Sequence, residues 1–171
     1  MMAVYEHFPE LKIHQKEFFT SALSNKKLQQ RLMQVFRNVN GKTFTFEEIG
    51  NPTVPGCTVI FELGIADAKS FSYLDEEETK KVLTALKKKA FRVMDFFCAI
   101  RYYKDYPSNK KPLKFDYYMV RFIFDEENML EIQIFHERGP RYIPPKALVT
   151  FLLDRVNETS TKAILKEAEV L

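Results

Sequence analysis

Two segments of this sequence, LKFDYYMVRFIF (residues 113–124) and MLEIQIFHE (residues 129–137), flank the polar turn DEEN (residues 125–128). Both segments are rich in aromatic and branched aliphatic residues, and a short polar turn between two such runs is typical of a β-hairpin. Strands joined in this way pair in antiparallel orientation. These residues therefore predict an antiparallel sheet at the centre of the fold.

The register of this hairpin determines which side chains each face of the sheet carries. We expect Phe124 to pair with Met129 across the turn. This register places Met119, Arg121 and Ile123 on the more apolar face, which we expect the helices to cover. The opposite face then carries aromatic side chains that no helix covers, and exposed patches of this kind mark interfaces. The aromatic members of this second face are Tyr118, Phe122, Phe124 and Phe135.

The rest of the pattern predicts an α+β fold, a single domain over residues 1–171, with an antiparallel sheet of five or six strands and helices mainly on one face. Apolar side chains at helical spacing predict an N-terminal helical hairpin over residues 1–41. Residues 42–143 are expected to form the sheet, interrupted by one long helix over residues 76–92. Residues 144–171 are expected to form C-terminal helices.

The composition is that of a folded chain, with 46% hydrophobic and 29% charged residues among 171. No apolar run approaches the length of a membrane span, and the N-terminal residues lack the pattern of a secretory signal. We therefore expect a cytoplasmic protein with no membrane partner. The two cysteines, Cys57 and Cys98, lie in apolar stretches and are expected to be buried thiols rather than a disulfide.

Motifs that would identify an enzyme are missing from the sequence. It has no glycine-rich phosphate loop, no G-x-S-x-G nucleophile motif and no H-E-x-x-H pair. Three histidines are too few for a His-rich metal site, and adjacent His136 and Glu137 would point to opposite faces of a strand. We therefore expect no catalytic residue, no metal and no cofactor, and we favour a non-enzymatic protein.

The stretch HERGPRYIPP (residues 136–145) has two interpretations. Its Gly-Pro and Pro-Pro pairs suit a turn from a strand into a helix, which favours a structural role. Alternatively, Arg121, expected in the core, must be paired. Its partner is either a carboxylate on a helix or an anion that several basic side chains bind together. The candidates for that anion pocket are Arg101, Arg121, His136, Arg138 and Arg141.

The positive charge is concentrated in one part of the sequence. Residues 80–114 contain eleven Lys or Arg against Asp95 and Asp105, whereas the whole chain carries a formal charge of +3. Lysines interleaved with tyrosines are typical of a nucleic-acid contact, although a solvated helix end and a lysine-rich loop would have the same composition. The candidates for a nucleic-acid or partner surface are Lys87, Lys88, Lys89, Lys110, Lys111, Tyr118, Phe122 and Phe135.

These observations favour a non-enzymatic binding or interaction module. RNA or single-stranded DNA is the best-supported ligand class, because aromatic side chains on a sheet can stack unpaired bases. The uncovered aromatic face also predicts a homodimer formed sheet to sheet. Two alternatives stay open, namely a small enzyme or ligand-binding protein with an arginine-lined anion pocket, and a structural subunit of a larger assembly.

Overall fold

The structure, a computed structural model, describes residues 2–9, 12–50, 55–67 and 69–168. Within these residues the chain forms nine strands, three α-helices and one short 3-10 helix over Phe46–Glu48. The strands are β1 (Ala3–Val4), β2 (Gln15–Ser21), β3 (Thr43–Thr45), β4 (Cys57–Asp67), β5 (Ser70–Tyr73), β6 (Val93–Lys104), β7 (Lys114–Ile123), β8 (Met129–Arg138) and β9 (Leu165–Glu167). The helices are α1 (Asn25–Val39), α2 (Glu76–Lys88) and α3 (Pro145–Asn157).

All nine strands belong to one antiparallel sheet. Their order across the sheet is β1-β5-β4-β6-β7-β8-β2-β9, and β3 pairs with β4 beside this row. The long strands β4, β6, β7 and β8 form the middle. The two outermost strands are short, with two residues in β1 and three in β9, which leaves little free edge for pairing with another chain.

One face of the sheet, the helical face, packs against α1, α2 and α3 and holds the main core. The ring of Phe36 on α1 meets the rings of Phe96 and Phe122 edge to face, with centroids 5.0 and 5.7 Å apart. Rings at these distances and angles stabilise a core beyond the area that they bury. The opposite face, the outer face, carries a smaller apolar cluster around Phe71 and Phe97.

The N-terminal segment (residues 2–9) packs on the outer face. Phe8 is 3% exposed, and the ring of Tyr5 lies 4.6 Å from that of Phe71. Gly64 on β4 allows this approach, because a Cβ there would lie 2.6 Å from the sulfur of Met2. Part of the outer face is thus covered by the chain's own N-terminal segment.

Polar side chains cap the starts of two helices. The side chain of Ser24 accepts a hydrogen bond from the backbone N–H of Lys27 at the start of α1. The side chain of Asp75 accepts one from the N–H of Glu78 at the start of α2. Each bond satisfies a backbone donor that has no partner inside the helix. No helix within the described residues combines the length and the apolar character needed to cross a membrane.

The predicted five or six strands and the predicted N-terminal helical hairpin are wrong. Only the second helix of that hairpin exists, as α1. The segment expected to form the first helix contains β2, which lies between β8 and β9 and pairs, for example, Phe19 with Leu130. Hydrogen bonds to strands more than 100 residues away decide its conformation, and local spacing does not contain that information.

The C-terminal helices and the length of the central helix also need correction. Residues 144–171, expected to be helical throughout, contain the helix α3 and then β9, whose Leu165 pairs with Ser21 of β2. Helix α2 ends at Lys88 instead of residue 92, because Arg92 already leads into β6 and its carbonyl accepts a hydrogen bond from the N–H of Phe124.

The predicted faces of β7 are inverted. The hairpin pairs Phe122 with Ile132, a shift of one residue from the expected register, and such a shift exchanges the faces of one strand relative to the other. The helices therefore cover Tyr118 and Phe122, whereas Arg121 lies on the outer face. Both faces of β7 carry large apolar side chains, so their alternation alone did not identify the buried one.

Candidate functional site

A buried carboxylate, Asp116 near the start of β7, organises the polar stretch that follows β8. Its side chain is 0% exposed, and four hydrogen-bonding groups surround its two oxygens. The hydroxyl of Tyr102 donates at 2.6 Å, and the backbone N–H groups of Arg141 and Tyr142 donate at 2.7 and 2.9 Å. Nε2 of His136 lies 2.8 Å from Oδ1. Asp116 therefore ties the connection between β8 and α3 to the sheet.

Gly139 is required by the same connection. Its φ is +111°, and a Cβ there would lie 2.3 Å from the carbonyl oxygen of Phe115 and 2.4 Å from Oδ1 of Asp116. Only glycine combines this backbone conformation with so close an approach. The stretch from His136 to Pro145 is thus a strand-to-helix connection, as its Gly-Pro and Pro-Pro pairs predicted.

Two histidines meet at the start of β2 and the end of β8. Nδ1 of His14 accepts a hydrogen bond from the backbone N–H of His136 at 3.0 Å, and the His14 ring stacks on Phe135 with centroids 5.3 Å apart. His14 is exposed, but partial desolvation lowers its pKa below the ordinary value of 6.5, and the charge of Arg141 acts in the same direction. The neutral ring that this hydrogen bond needs is therefore the favoured form.

The guanidinium of Arg121 forms a bidentate ion pair with Asp95 on β6, with Nε 2.8 Å from Oδ1 and Nη2 3.0 Å from Oδ2. The ring centre of Phe8 lies 4.7 Å from the guanidinium carbon, and the hydroxyl of Tyr5 contacts both charged groups. Burial raises the pKa of Tyr5 to about 12, with Asp95 adding to the effect. Arg121 does pair with a carboxylate, but that carboxylate lies on a neighbouring strand and not on a helix.

The five anion-pocket candidates occupy three different places. Arg101 and Arg121 lie on the outer face in ion pairs with Glu62 and Asp95. His136 contacts Asp116 on the helical face. Arg141 lies beside His136, because its backbone N–H and Nε2 of His136 both contact Oδ1 of Asp116. Arg138 instead stacks on Tyr117 on the outer face. The side chains predicted to surround one anion are therefore not brought together as a group.

Tyr118 and Phe122, predicted to form a binding surface, are buried in the core. Both are 0% exposed, and the hydroxyl of Tyr118 donates to the carbonyl of Ile143 within the core. Phe124, expected on the same uncovered face, is 3% exposed. Phe135 does lie on the outer face, opposite Met119, and is half-buried. The homodimer was predicted through these side chains, and the burial of Tyr118, Phe122 and Phe124 leaves only Phe135 of that set on the outer face.

The two cysteines are free and buried, as expected. Burial raises the pKa of the thiol of Cys98, and it also raises that of Cys57. A thiol with a raised pKa is a poor nucleophile at neutral pH. Neither side chain therefore has the chemistry of a reactive cysteine.

The basic segment of residues 80–114 is divided between two ends of the sheet. Lys87 lies beside Lys26 at the start of α1, near the turn that follows β7. The twelve residues of β6 separate it from Lys110 by more than about 35 Å of extended chain. The end with Lys87, Lys88 and Lys89 also contains the acidic turn of residues 125–127, and Arg92 there pairs with Asp125.

The other end of the sheet holds the lysines that follow β6. Here the loop after β6, the start of β7 and the end of β8 meet, and the acidic side chains of these segments are Asp105, Glu137 and the buried Asp116. Glu47 adds a carboxylate beside the start of β4, next to the end of β6. We call the following six exposed cations the basic end: Lys104, Lys110, Lys111, Lys114, Arg138 and Arg141. Among the residues that the structure describes, none of the six lies within 4.0 Å of a carboxylate.

A groove of about 510 Å³ opens on the outer face at the basic end. We call it the Phe115 groove, because Phe115 lines it and is 39% exposed. The rings of Phe115 and Tyr117 are nearly parallel, at 8° with centroids 6.1 Å apart. The other lining residues are Leu113, Lys114, Arg138, Gly139 and Pro140. Aromatic and cationic side chains thus share one concave surface.

A β-bulge places Arg138 in this groove. Tyr118 pairs with His136, but the next pair along is Tyr117 with Arg138, so Glu137 is the extra residue. Without the bulge, Arg138 would oppose the buried Asp116 on the helical face. With it, the guanidinium carbon lies 4.2 Å from the ring centre of Tyr117, a distance typical of cation–π stacking.

Sequence reasoning missed four residues of this surface, Lys104, Lys114, Phe115 and Tyr117. The signal that could have found them is the position of Lys114 and Phe115 where the hairpin strand begins, directly after the lysine-rich loop. Within the described part of the chain, no group of three His, Cys, Asp or Glu side chains is arranged to hold a metal ion. The chain matches no protein-family model, no curated protein and no solved structure at a significant level.

Proposed function

We propose that this protein binds nucleic acid through the basic end of its sheet. The observation that carries the proposal is a set of six exposed cations without carboxylate partners at one end of the sheet, two of which, Lys114 and Arg138, line a groove with Phe115 and Tyr117. In an ion pair, the carboxylate already compensates the charge of the cation, whereas these six cations are available to a ligand. Aromatic side chains among them add surfaces on which a base can stack.

The spacing of the cations suits a polymeric anion better than a small one. Neighbouring strands lie about 4.8 Å apart, so the adjacent ends of β6, β7 and β8 present charge across about 10 Å. Successive phosphates along one strand of a duplex are about 3.4 Å apart along its axis, so several of them fit this width. An arginine-lined pocket for a small anion is less favoured, because Arg101 and Arg121 are held by Glu62 and Asp95.

Salt dependence is the direct test of this proposal. Fluorescence anisotropy would follow binding of labelled RNA and DNA of about 20 nucleotides, longer than the sites such surfaces usually cover. If about four phosphates are contacted, the affinity for a single strand should fall roughly 50-fold between about 50 and 200 mM salt. Absence of binding to any nucleic acid at the lower salt concentration would contradict the proposal.

Competition with heparin separates nucleic-acid binding from a general attraction to polyanions. Heparin carries dense negative charge but has no base that could stack on the Phe115 groove. We expect nucleic acid to remain bound at heparin concentrations of equal charge. Complete displacement at equal charge would show that electrostatic attraction alone holds the nucleic acid and that the groove adds no contact with the bases.

A further inference from the structure

We infer that the Phe115 groove selects single-stranded over double-stranded nucleic acid, by stacking unpaired bases on Phe115 and on the guanidinium of Arg138. This inference rests on the proposed function and adds the class of nucleic acid. It depends on the shape of the surface, whereas the proposed function depends on its charge. The two can therefore fail separately.

Phe115 is the aromatic side chain of the groove that is open to a ligand. It is 39% exposed, whereas Phe71 and Phe97 on the same face are 0% and 4% exposed. Tyr117 is half-buried, and Arg138 stacks on its ring at 4.2 Å. A guanidinium that stacks on an aromatic ring with one face can stack on a base with the other. The groove thus offers two flat groups, one aromatic and one cationic.

Stacking on these groups requires a base that has left its own stack. In a duplex the bases are paired and stacked on each other, and only their edges are accessible in the grooves. The aromatic groups here lie in a concave surface and belong to a sheet, so they cannot enter a duplex as a protruding wedge would. A duplex can reach only the lysines with its phosphates. A single strand can contact the lysines and place bases in the groove as well.

The rest of the outer face supports this location for the bases. The N-terminal segment covers the cluster around Phe71, where Tyr5 packs against the ring. Near the groove, Tyr103 is 3% exposed and packs against Tyr106 at 5.2 Å. The position of Phe115 therefore combines an open ring with adjacent cations, namely Lys114 and Arg138.

The experiment compares a single strand with a hairpin duplex of equal length and charge, at about 50 mM salt, where electrostatic binding is strong. The variants are Phe115→Ala, which removes the ring, and Phe115→Leu, which keeps apolar bulk without an aromatic face. Phe115→Tyr tests rescue. Phe91→Ala is the matched control, because Phe91 is 37% exposed but lies at the other end of the sheet. Thermal melting of each variant checks that the fold is retained.

We expect the original protein to bind the single strand at least about tenfold more tightly than the duplex. Phe115→Ala and Phe115→Leu should each weaken binding of the single strand about tenfold and leave duplex binding unchanged. Phe115→Tyr and Phe91→Ala should behave like the original protein. If both nucleic acids bind equally, or if the Phe115 variants retain the preference, the inference is overturned while the proposed function stands. Binding of neither would overturn the proposed function itself.

Discussion

The carboxylate of Asp116 accepts a hydrogen bond from the hydroxyl of Tyr102 at 2.6 Å, deep in the core and across two neighbouring strands. The same carboxylate binds the backbone N–H groups of Arg141 and Tyr142. It therefore joins the core to the connection that carries Arg138 and Arg141 to the basic end. The polar stretch, for which an anion pocket was one interpretation, is instead a strand-to-helix connection that Asp116 holds against the sheet, beside the candidate binding surface.

Replacing Asp116 with alanine should destabilise the protein by about 3–5 kcal/mol. The substitution leaves several buried donors without an acceptor, and each such group costs about 1–3 kcal/mol. Chemical denaturation measures the change. Asp154→Ala, at an exposed position of α3, is the matched control and should change stability by less than about 0.5 kcal/mol. A similarly small effect of Asp116→Ala would show that the hydrogen bonds to Asp116 do not stabilise the fold.

The ion pair of Arg121 and Asp95 should also stabilise the protein. The two side chains are only 16% and 9% exposed, so Arg121→Ala should cost about 2–3 kcal/mol, less than a fully buried pair because some solvent remains. The control is Arg92→Ala, which breaks an ion pair whose side chains are 81% and 54% exposed. That change should cost less than about 1 kcal/mol. Equal effects of the two substitutions would contradict the placement of Arg121 against the N-terminal segment.

The two aromatic residues of β7 that differ most in burial test which face the helices cover. Phe122→Ala should cost about 3–5 kcal/mol, because the ring is 0% exposed and leaves a cavity against Phe36 and Phe96. Phe115→Ala, at a 39% exposed position, should cost less than about 1 kcal/mol. Urea denaturation of both variants measures the two losses of stability. A larger loss for Phe115→Ala than for Phe122→Ala would support the register expected from the sequence alone.

Stability should decrease as the pH falls below 6.5, the ordinary pKa of histidine, in part through His14. Partial desolvation and the charge of Arg141 lower the pKa of the exposed His14 in the folded protein, so the unfolded chain takes up a proton first as the pH falls. The contribution of His14 is thus fully present above pH 6.5 and is lost on acidification. His14→Gln should make stability less sensitive to pH between about 7.5 and 5. Parallel pH profiles for the variant and the original protein would exclude this role.

The sequence predicted those elements that local patterns control. Ser24 and Asp75 mark the starts of two helices, and β3, β4, β5, β6, β7 and β8 all lie within residues 42–143, the region expected to form the sheet. It did not predict β1, β2 and β9, because their partners are distant in sequence and the pairing itself stabilises them. The number of strands was therefore too low.

The candidate site was predicted only in part, for two physical reasons. Both faces of β7 carry apolar side chains, so alternation does not identify the buried face. In addition, the charged Asp116 is buried and the apolar Phe115 is exposed, which is the reverse of what their side chains predict. Lys87 and Lys110 are close in sequence, but β6 is extended and holds them at opposite ends of the sheet. Charge that is concentrated along a chain need not be concentrated on a surface.

The most direct test of nucleic-acid binding at the basic end compares two triple charge reversals. One variant changes Lys110, Lys111 and Lys114 to Glu at the basic end, and the other changes Lys87, Lys88 and Lys89 to Glu at the opposite end. Both alter the net charge equally, so the affinity for a labelled single strand isolates the effect of position. The first variant should bind about 100-fold more weakly, through the loss of about three phosphate contacts, and the second only a few-fold more weakly. Equal losses, or a larger loss in the second variant, would contradict the assignment of the binding surface to the basic end.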